Sequence, residues 1–409
     1  MTWRPKNFRD TFLPISTLMA IFGCGVFEFP LGRRRIAFSV VYAMVVTFIY
    51  WVLYALNLKY SFESDWFNAE DKIVYFITYV NFMIMLVTQV LRCVYHKKFE
   101  RSMFRIIKVD NTLRELGTTF DYTHCLKLSI LLDVVWVVLI FIQNGIDTLW
   151  FIHKVPLRAI IIIVSILHHP IYVNIMVSLN YCLLMGQVGT RFRKTNELLE
   201  NTFKFNEALS VVDFHGGLPK NKITVAASTA SLDRNIKTEN EVTSLMQSLK
   251  HVHLELTLIA KEFNHIHSII ILLEMAAFFV MFTGLFFILY IMIMRPTLER
   301  KSLQIFVLVT IIVVCTPLVI FINHTAESVA AEAKRTGTII HSVYNGNEDS
   351  EFRDELKQFT LQLLTNPLEF SPLGFFTLGY DFLRGYFGTV VTYLVIFIQL
   401  GSDPKIIRQ

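Results

Sequence analysis

Long apolar runs alternate along this chain with stretches in which apolar residues return every third or fourth position among charges. Seven runs reach the ~20 residues that a helix needs to cross a bilayer: roughly Ile36–Leu56, Ile73–Cys93, Leu126–Ile146, Ala159–Met185, Ile269–Met294, Leu303–Asn323 and Phe382–Leu400. The fourth carries His168-His169-Pro170 near its middle. Proline there frees a helical carbonyl, which is tolerable only where neighbouring helices cover it. An eighth run, Leu13–Val26, is short, meets Pro14 early and precedes Arg33-Arg34-Arg35 without a small-residue cleavage site. It reads as an interfacial or half-inserted segment rather than a signal peptide. The pattern predicts an all-α membrane protein of seven transmembrane helices.

The polar segments between runs carry helical periodicity of their own. Phe99, Phe104, Ile107 and Leu113 continue the second run past the membrane. Leu245, Leu249, Val252, Leu256, Ile259 and Phe263 recur at three- and four-residue steps and lead straight into the fifth run. Phe352, Leu356, Phe359 and Leu363 repeat the pattern before the last run. Between Phe205 and Asn240 the chain is polar, contains Gly216-Gly217, and is expected to be disordered. Helices extended into water with apolar faces need partners, so an intracellular packing region is expected. The division that follows is an N-terminal segment (1–35), a six-helix unit with extensions (36–323), an anchor segment (324–381), a last helix (382–400) and a tail (401–409).

Composition agrees with a largely lipid solvent: 54% hydrophobic residues, 17% charged, mean hydropathy +0.49 and 36 Phe. A net charge of +5 does not suggest nucleic-acid binding. Its distribution is more informative. Residues 57–72 hold Glu63, Asp65, Glu70 and Asp71 against Lys59 and Lys72, whereas 92–108 hold Arg92, Lys97, Lys98, Arg101, Arg105 and Lys108. The positive-inside bias places the N-terminus in the cytoplasm and, after seven crossings, the C-terminus outside; Arg295, Arg300 and Lys301 argue the other way. Cys24, Cys93, Cys125, Cys182 and Cys315 lie in or beside apolar runs without metal-like spacing and read as reduced packing residues.

The last run, FLRGYFGTVVTYLVIFIQL, is the most distinctive. On a 3.6-residue helix Gly385, Thr389, Thr392, Ile396 and Gln399 share one stripe. Small and hydrogen-bonding groups on a spanning helix suit either a close helix–helix seam or a wetted pore wall, with Gln399 and Leu400 at one end. Elsewhere, Asp133 and Glu274 are ionisable groups inside spans and so functional candidates, with an interhelix hydrogen bond as the plainer reading. His251-x-His253 and His265-x-His267 put residues two apart on different faces of a helix, which disfavours metal binding and favours solvated or capping roles. No nucleophile motif, phosphate loop or acid–base pair supports an enzyme, and no cofactor or metal is implied. Aromatics and amides in the outward halves of the spans suit a small uncharged organic ligand: Tyr75, Tyr79 and Asn81; Trp136, Gln143 and Asn144; His168 and His169; Phe286 and Tyr290; and Gln304.

Thr392-Tyr393, the apolar Leu394 to Ile398 and then Gln399 resemble the C-terminal Thr-Tyr-(five hydrophobic)-Gln-Phe signature of the insect gustatory receptor family, as do the small residues from Phe375 to Gly388. Leu400 stands where that family usually has an aromatic. The resemblance implies a ligand-gated, non-selective cation channel at the plasma membrane, in which four subunits, identical or mixed, surround one pore lined by Thr389, Thr392, Ile396, Gln399 and Leu400. It also implies an outward-facing pocket for a small tastant in each subunit and helical extensions that form a central anchor. Many sugar receptors of the family carry an acidic residue after Thr-Tyr; Leu394 occupies that position, which leans away from that sugar subgroup and leaves fructose-type, bitter and other nutrient receptors open. The alternative is a seven-transmembrane G-protein-coupled receptor. That reading needs the opposite orientation, an Asp-Arg-Tyr after the third span and Asn-Pro-x-x-Tyr within the last, whereas Asn366-Pro367 precedes the last span. A transporter lacks a matching internal repeat.

Overall fold

Neither internal proline stops a helix. The computed structural model describes residues 5–27, 35–62, 69–152, 157–214, 239–294, 301–343 and 350–401. Within them run α1 (Phe8–Thr11), α2 (Leu13–Ile21), α3 (Ile36–Phe62), α4 (Ala69–Glu115), α5 (Tyr122–Phe151), α6 (Leu157–Phe214), α7 (Glu239–Met294), α8 (Lys301–Val343), α9 (Ser350–Thr365) and α10 (Tyr380–Gly401). Seven of these, α3 to α8 and α10, are long and apolar enough to cross a membrane. Pro170 lies inside α6 and Pro317 inside α8. A proline removes the hydrogen bond to the carbonyl four residues back. For Pro170 that carbonyl belongs to Ile166, and the Tyr50 hydroxyl of α3 donates to it at 2.6 Å. A neighbouring helix thus supplies the missing donor, and α6 continues.

The four longest helices pack as two pairs, α4 along α7 and α6 along α8, with α5, α3 and α10 outside them. One core runs through the membrane portion and the start of the extensions, with Phe192, Phe263, Phe282 and Val319 fully buried. A second lies at the extension end, where Leu199 and Phe203 of α6, Leu245 and Leu249 of α7, Ile340 of α8, and Phe352, Leu356 and Phe359 of α9 meet. The periodic faces expected on α7 and α9 are the faces buried here. Burial of each such side chain contributes about 1.5–3 kcal/mol. The face of α4 differs from expectation in one position. Phe104 is exposed, and Met103, Ile106, Asp110 and Leu113 form the buried stripe, because steps of three and four from Phe99 reach Met103 and not Phe104.

One other expectation changes. Helix α6 runs on to Phe214, past the point where disorder was expected; residues 215–238, including Gly216-Gly217, lie outside the described residues. The Leu13–Val26 run contains the short helix α2, which with α1 rests on α5: Phe8 and Phe12 ahead of the run, and Ile15 and Met19 within it, are buried in the main core. Helix α5 is capped by Asp121, whose side chain accepts from the backbone of Thr123 at 2.9 Å and His124 at 3.2 Å. Those amides, His124 foremost, hold its carboxyl below the usual carboxylate range.

Candidate functional site

The N-terminal segment is held by a buried charge. Arg191 of α6 forks onto Asp110 of α4 with two bonds of 2.7 Å, and donates to the Gln187 carbonyl at 2.8 Å. The Tyr122 hydroxyl donates to the same carboxylate at 2.8 Å. The guanidinium lies 4.2 Å from the Phe8 ring centre and 5.2 Å from that of Phe120. Arg191 is 1% exposed and Asp110 0%. A bidentate pair stacked between rings is a favourable geometry for a buried ion pair. It ties α1, α4, α5 and α6 into one node.

A second polar cluster lies between α5 and α6, nearer the opposite ends of these helices. On α5, Trp136, Gln143 and Asp147 recur at helical spacing and are buried, with Asn144 beside them. On α6, His168 and Tyr172 are one turn apart. His168 Nε2 is 2.8 Å from an Asp147 oxygen, and the Gln143 amide nitrogen reaches both Asp147 oxygens at 3.2 and 3.3 Å. The Tyr172 hydroxyl donates to Asn144 Oδ1 at 2.8 Å. Its ring stacks on His168 at 5.7 Å and meets Trp136 edge-on at 6.0 Å. Two buried polar atoms have no partner: Trp136 Nε1, a donor, and Gln143 Oε1, an acceptor. Leaving such groups unpaired costs ~1–3 kcal/mol each, and together they match a ligand that offers one acceptor and one donor beside an aromatic surface.

The structure thus brings together four sequence candidates, Trp136, Gln143, Asn144 and His168, and adds Asp147 and Tyr172. Asp147 carried a signal, being acidic one turn from Gln143; Tyr172 carried none beyond its place one turn after His168. The remaining candidates fall elsewhere. His169 packs against Tyr50 at 5.5 Å and Phe22 at 5.9 Å. The Tyr75 hydroxyl accepts from Asn57 at 3.0 Å, and Asn81 accepts from Asn174. Tyr79 is 46% exposed. Phe286 packs against the main core, Tyr290 is half-buried, and the Gln304 side chain lies outside what is described. Glu274 accepts from Ser178 of α6, the interhelix bond expected of it. Asp133 is half-buried beside Leu13, Thr17 and Ile21 of the N-terminal segment. Of the four paired histidines, His251 and His265 are exposed; His253 and His267 are buried against the carbonyls of Ala333 and Phe263, not solvated as expected.

Helix α10 is seated on one face only. Leu383, Tyr386 and Val390 are buried, and the Tyr386 hydroxyl donates to the Met275 carbonyl of α7 at 3.1 Å. Edge-on contacts of Phe279 with Tyr386 and Tyr393, and a Phe287–Phe397 contact, continue the same seam. The start of α10 is fixed by α8: Asn323 Oδ1 accepts from Gly379 N at 3.0 Å, and the Tyr380 hydroxyl lies 2.5 Å from His324 Nδ1. A side chain at Gly379 would collide with the Glu327 carboxylate. About a third of a turn round from the α7 seam, Gly385, Thr389, Thr392, Ile396 and Gln399 are all exposed, whereas the Leu400 side chain lies outside what is described. Thr389 and Thr392 donate to the carbonyls of Gly385 and Gly388, at 2.8 and 3.0 Å, so their oxygens present lone pairs outward.

The fold is that of a solved chemoreceptor. The insect olfactory receptor OR5 from Machilis hrabei matches with a TM-score of 0.67 and 13% identity over 96% of this chain and 98% of that one, and its structure in complex with eugenol matches equally. In sequence, the Drosophila melanogaster gustatory receptor for bitter taste 66a is 29% identical over 175 residues, 42% of this chain and 32% of that protein. The putative gustatory receptor 28b of the same fly is 31% identical over 72 residues, 18% of this chain and 15% of that protein. The matched stretches thus span a third or less of these curated relatives. Residues 12–402 match the family described as 7tm Chemosensory receptor. This chain, a multi-pass membrane protein built as a receptor and not as an enzyme, therefore belongs to the 7tm chemosensory receptor family.

Proposed function

We propose that the chain is one subunit of a ligand-gated, non-selective cation channel that senses a small organic tastant at the plasma membrane. In this reading four subunits, identical or mixed, meet around one pore. The N-terminus and the extension end (1–35, 324–381) face the cytoplasm, residues 36–323 hold the ligand, 382–400 line the pore, and 401–409 lie outside. The observation that carries the reading is the state of α10: firmly seated on α7, yet leaving a stripe of glycine, threonine hydroxyl and amide uncovered within its own subunit. Outward lone pairs at Thr389 and Thr392 suit a hydrated cation, and Gln399 would form an amide ring at the outer end.

The ligand site is the α5–α6 cluster. Trp136 Nε1 and Gln143 Oε1 would each gain a partner, while Tyr172 and His168 supply the ring surface; the sequence candidates Tyr79, Phe286, Tyr290 and Gln304 are no part of this site. The name of the bitter-taste relative favours a bitter compound over a sugar, in keeping with Leu394. A ligand opens such a channel only by binding the open state more tightly. The test is electrophysiology on the full chain expressed in a non-neuronal cell, screened with bitter compounds, amino acids and sugars. Thr392→Val is expected to lower conductance several-fold, and Gln399→Glu to raise divalent permeability. Unaltered conduction and selectivity in both would remove α10 from the pore.

A further inference from the structure

The short helix α2 ends in a turn that covers a cavity. Gly23, at φ +80°, lets the chain reverse, and the Gly23 and Cys24 amides donate back to Ala20 and Met19 at 3.0 and 2.9 Å. The turn lays Gly23–Val26 over α4. Beneath it is a cavity of about 80 Å³, lined among others by Met19, Arg92, Tyr95, His96, Asn180 and His267. A smaller one of about 20 Å³ adjoins it and brings in Gln89. Together they hold several waters or one small polyatomic ion.

The polar character of this space is one-sided. Arg92 Nε, one Arg92 Nη and Gln89 Nε2 are buried without partners, and all are donors. Thr47 donates to Gln89 Oε1 at 2.9 Å, which leaves the amide nitrogen directed away from Thr47. Among the described residues lining the two cavities there is no aspartate or glutamate. Glu274 lines neither, but it lies close enough to attract the Arg92 charge: one of its oxygens accepts from Ser178 and the other is buried without a partner, so it makes no hydrogen bond to the guanidinium. A buried guanidinium with unused donors is costly, and an anion with several acceptor oxygens removes that cost. The remaining walls are mixed: Ser16, Tyr95, His96, Asn180 and His267 are polar, and Met19, Leu91, Phe99, Ile266 and Ile270 are apolar. Within the next two to three turns of α4 stand Lys97, Lys98 and Arg101, positive charge of the kind that draws anionic lipid.

We infer that the space beneath the Gly23–Val26 turn is a binding site for a phosphate-bearing anion, with Arg92 as a fork and Gln89 as a further donor. The phosphate can belong to the headgroup of an anionic phospholipid, whose acyl chains would stay outside the cavity, or be free in solution. This site is separate from both the α5–α6 cluster and α10, and does not depend on the channel reading.

The test uses the purified full chain in detergent, with dioctanoyl phosphatidic acid as probe in a binding titration and inorganic phosphate as competitor. Gln89→Glu keeps the side-chain shape and the oxygen that Thr47 meets, but puts a negative charge in the cavity. Arg92→Lys keeps the charge without the fork, and Arg92→Gln removes it. Saturable binding to the wild type is expected. Affinity should fall at least about tenfold in Gln89→Glu and Arg92→Gln, and less in Arg92→Lys. Inorganic phosphate that competes at millimolar concentration identifies a free-phosphate site, and failure to compete with the lipid still bound identifies a lipid site; both uphold the assignment. If Arg92→Gln does not fold, Gln89→Glu decides. Equal lipid affinity in wild type and Gln89→Glu, or no binding of either probe to the wild type, overturns it.

Discussion

The Asp110–Arg191–Tyr122 node and the Trp136–Asp147–Tyr172 cluster are both buried and polar, both bridge to α6, and both contain a carboxylate. They differ in how completely their atoms are used. Around Asp110 the carboxylate oxygens face a guanidinium fork and a phenol, with two rings closing the faces. Between α5 and α6 the carboxylate is likewise engaged, by His168 and Gln143, yet the indole N–H and the glutamine carbonyl beside it are left over. A closed network fixes helices in place; one with spare buried groups is suited to accept something else. The apolar spans carry the second kind and the root of the extensions the first.

The most severe way to break this contrast is Asp110→Ala. It strands Arg191 as an unpaired buried charge and takes away the acceptor of Tyr122. The cost is about 3–5 kcal/mol, enough to show as lost surface expression or a failure to run as a single species in size-exclusion chromatography. Trp136→Phe probes the other cluster. It removes an unpartnered N–H while keeping most of the ring, so stability should change by less than about 1.5 kcal/mol. Ligand sensitivity should instead fall ~10-fold, the loss of one hydrogen bond of about 1.4 kcal/mol. If Trp136→Phe proves as destabilising as Asp110→Ala, the two clusters are of one kind. The smallest effect concerns Glu355 of α9, whose carboxyl the Lys250 ammonium at 2.5 Å holds below its usual range. A lowered folded value means that the pair's contribution is full above the ordinary carboxylate range and is lost as pH falls through the lowered one. Thermal stability should therefore decline on acidification below about pH 4.5, and decline less in Lys250→Met.

Much of the architecture could be read directly from the chain. Runs of ~20 apolar residues have few fates but to span a bilayer, and the recurrent faces of Val242–Phe263 and Phe352–Leu363 could be stable only when covered. The stripe on α10 was equally legible, because helical periodicity alone groups Gly385, Thr389, Thr392, Ile396 and Gln399. Its exposure was not. That depended on Tyr386, Tyr393 and Phe397 taking the contact with α7, a competition between faces of one helix that only packing resolves. Arg191 shows the same limit. In sequence it is one of three basic residues between Arg191 and Lys194, and nothing local marks it as the one turned inward onto Asp110.

Sequence by itself determined what is set by local spacing and solvent preference: seven spans, amphipathic extensions, the composition of the last helix and its family signature. The tertiary structure alone decided which polar groups meet. Asp110 finds Arg191 across 81 positions, Tyr50 caps Ile166 across 116, and the orphaned donors of Gln89 and Arg92 gather under a turn formed by Gly23. The physical reason is that apolar burial is a property of each residue's own surroundings, whereas a hydrogen bond needs a particular partner at ~3 Å, and that partner is chosen by the packing of helices far apart in the chain.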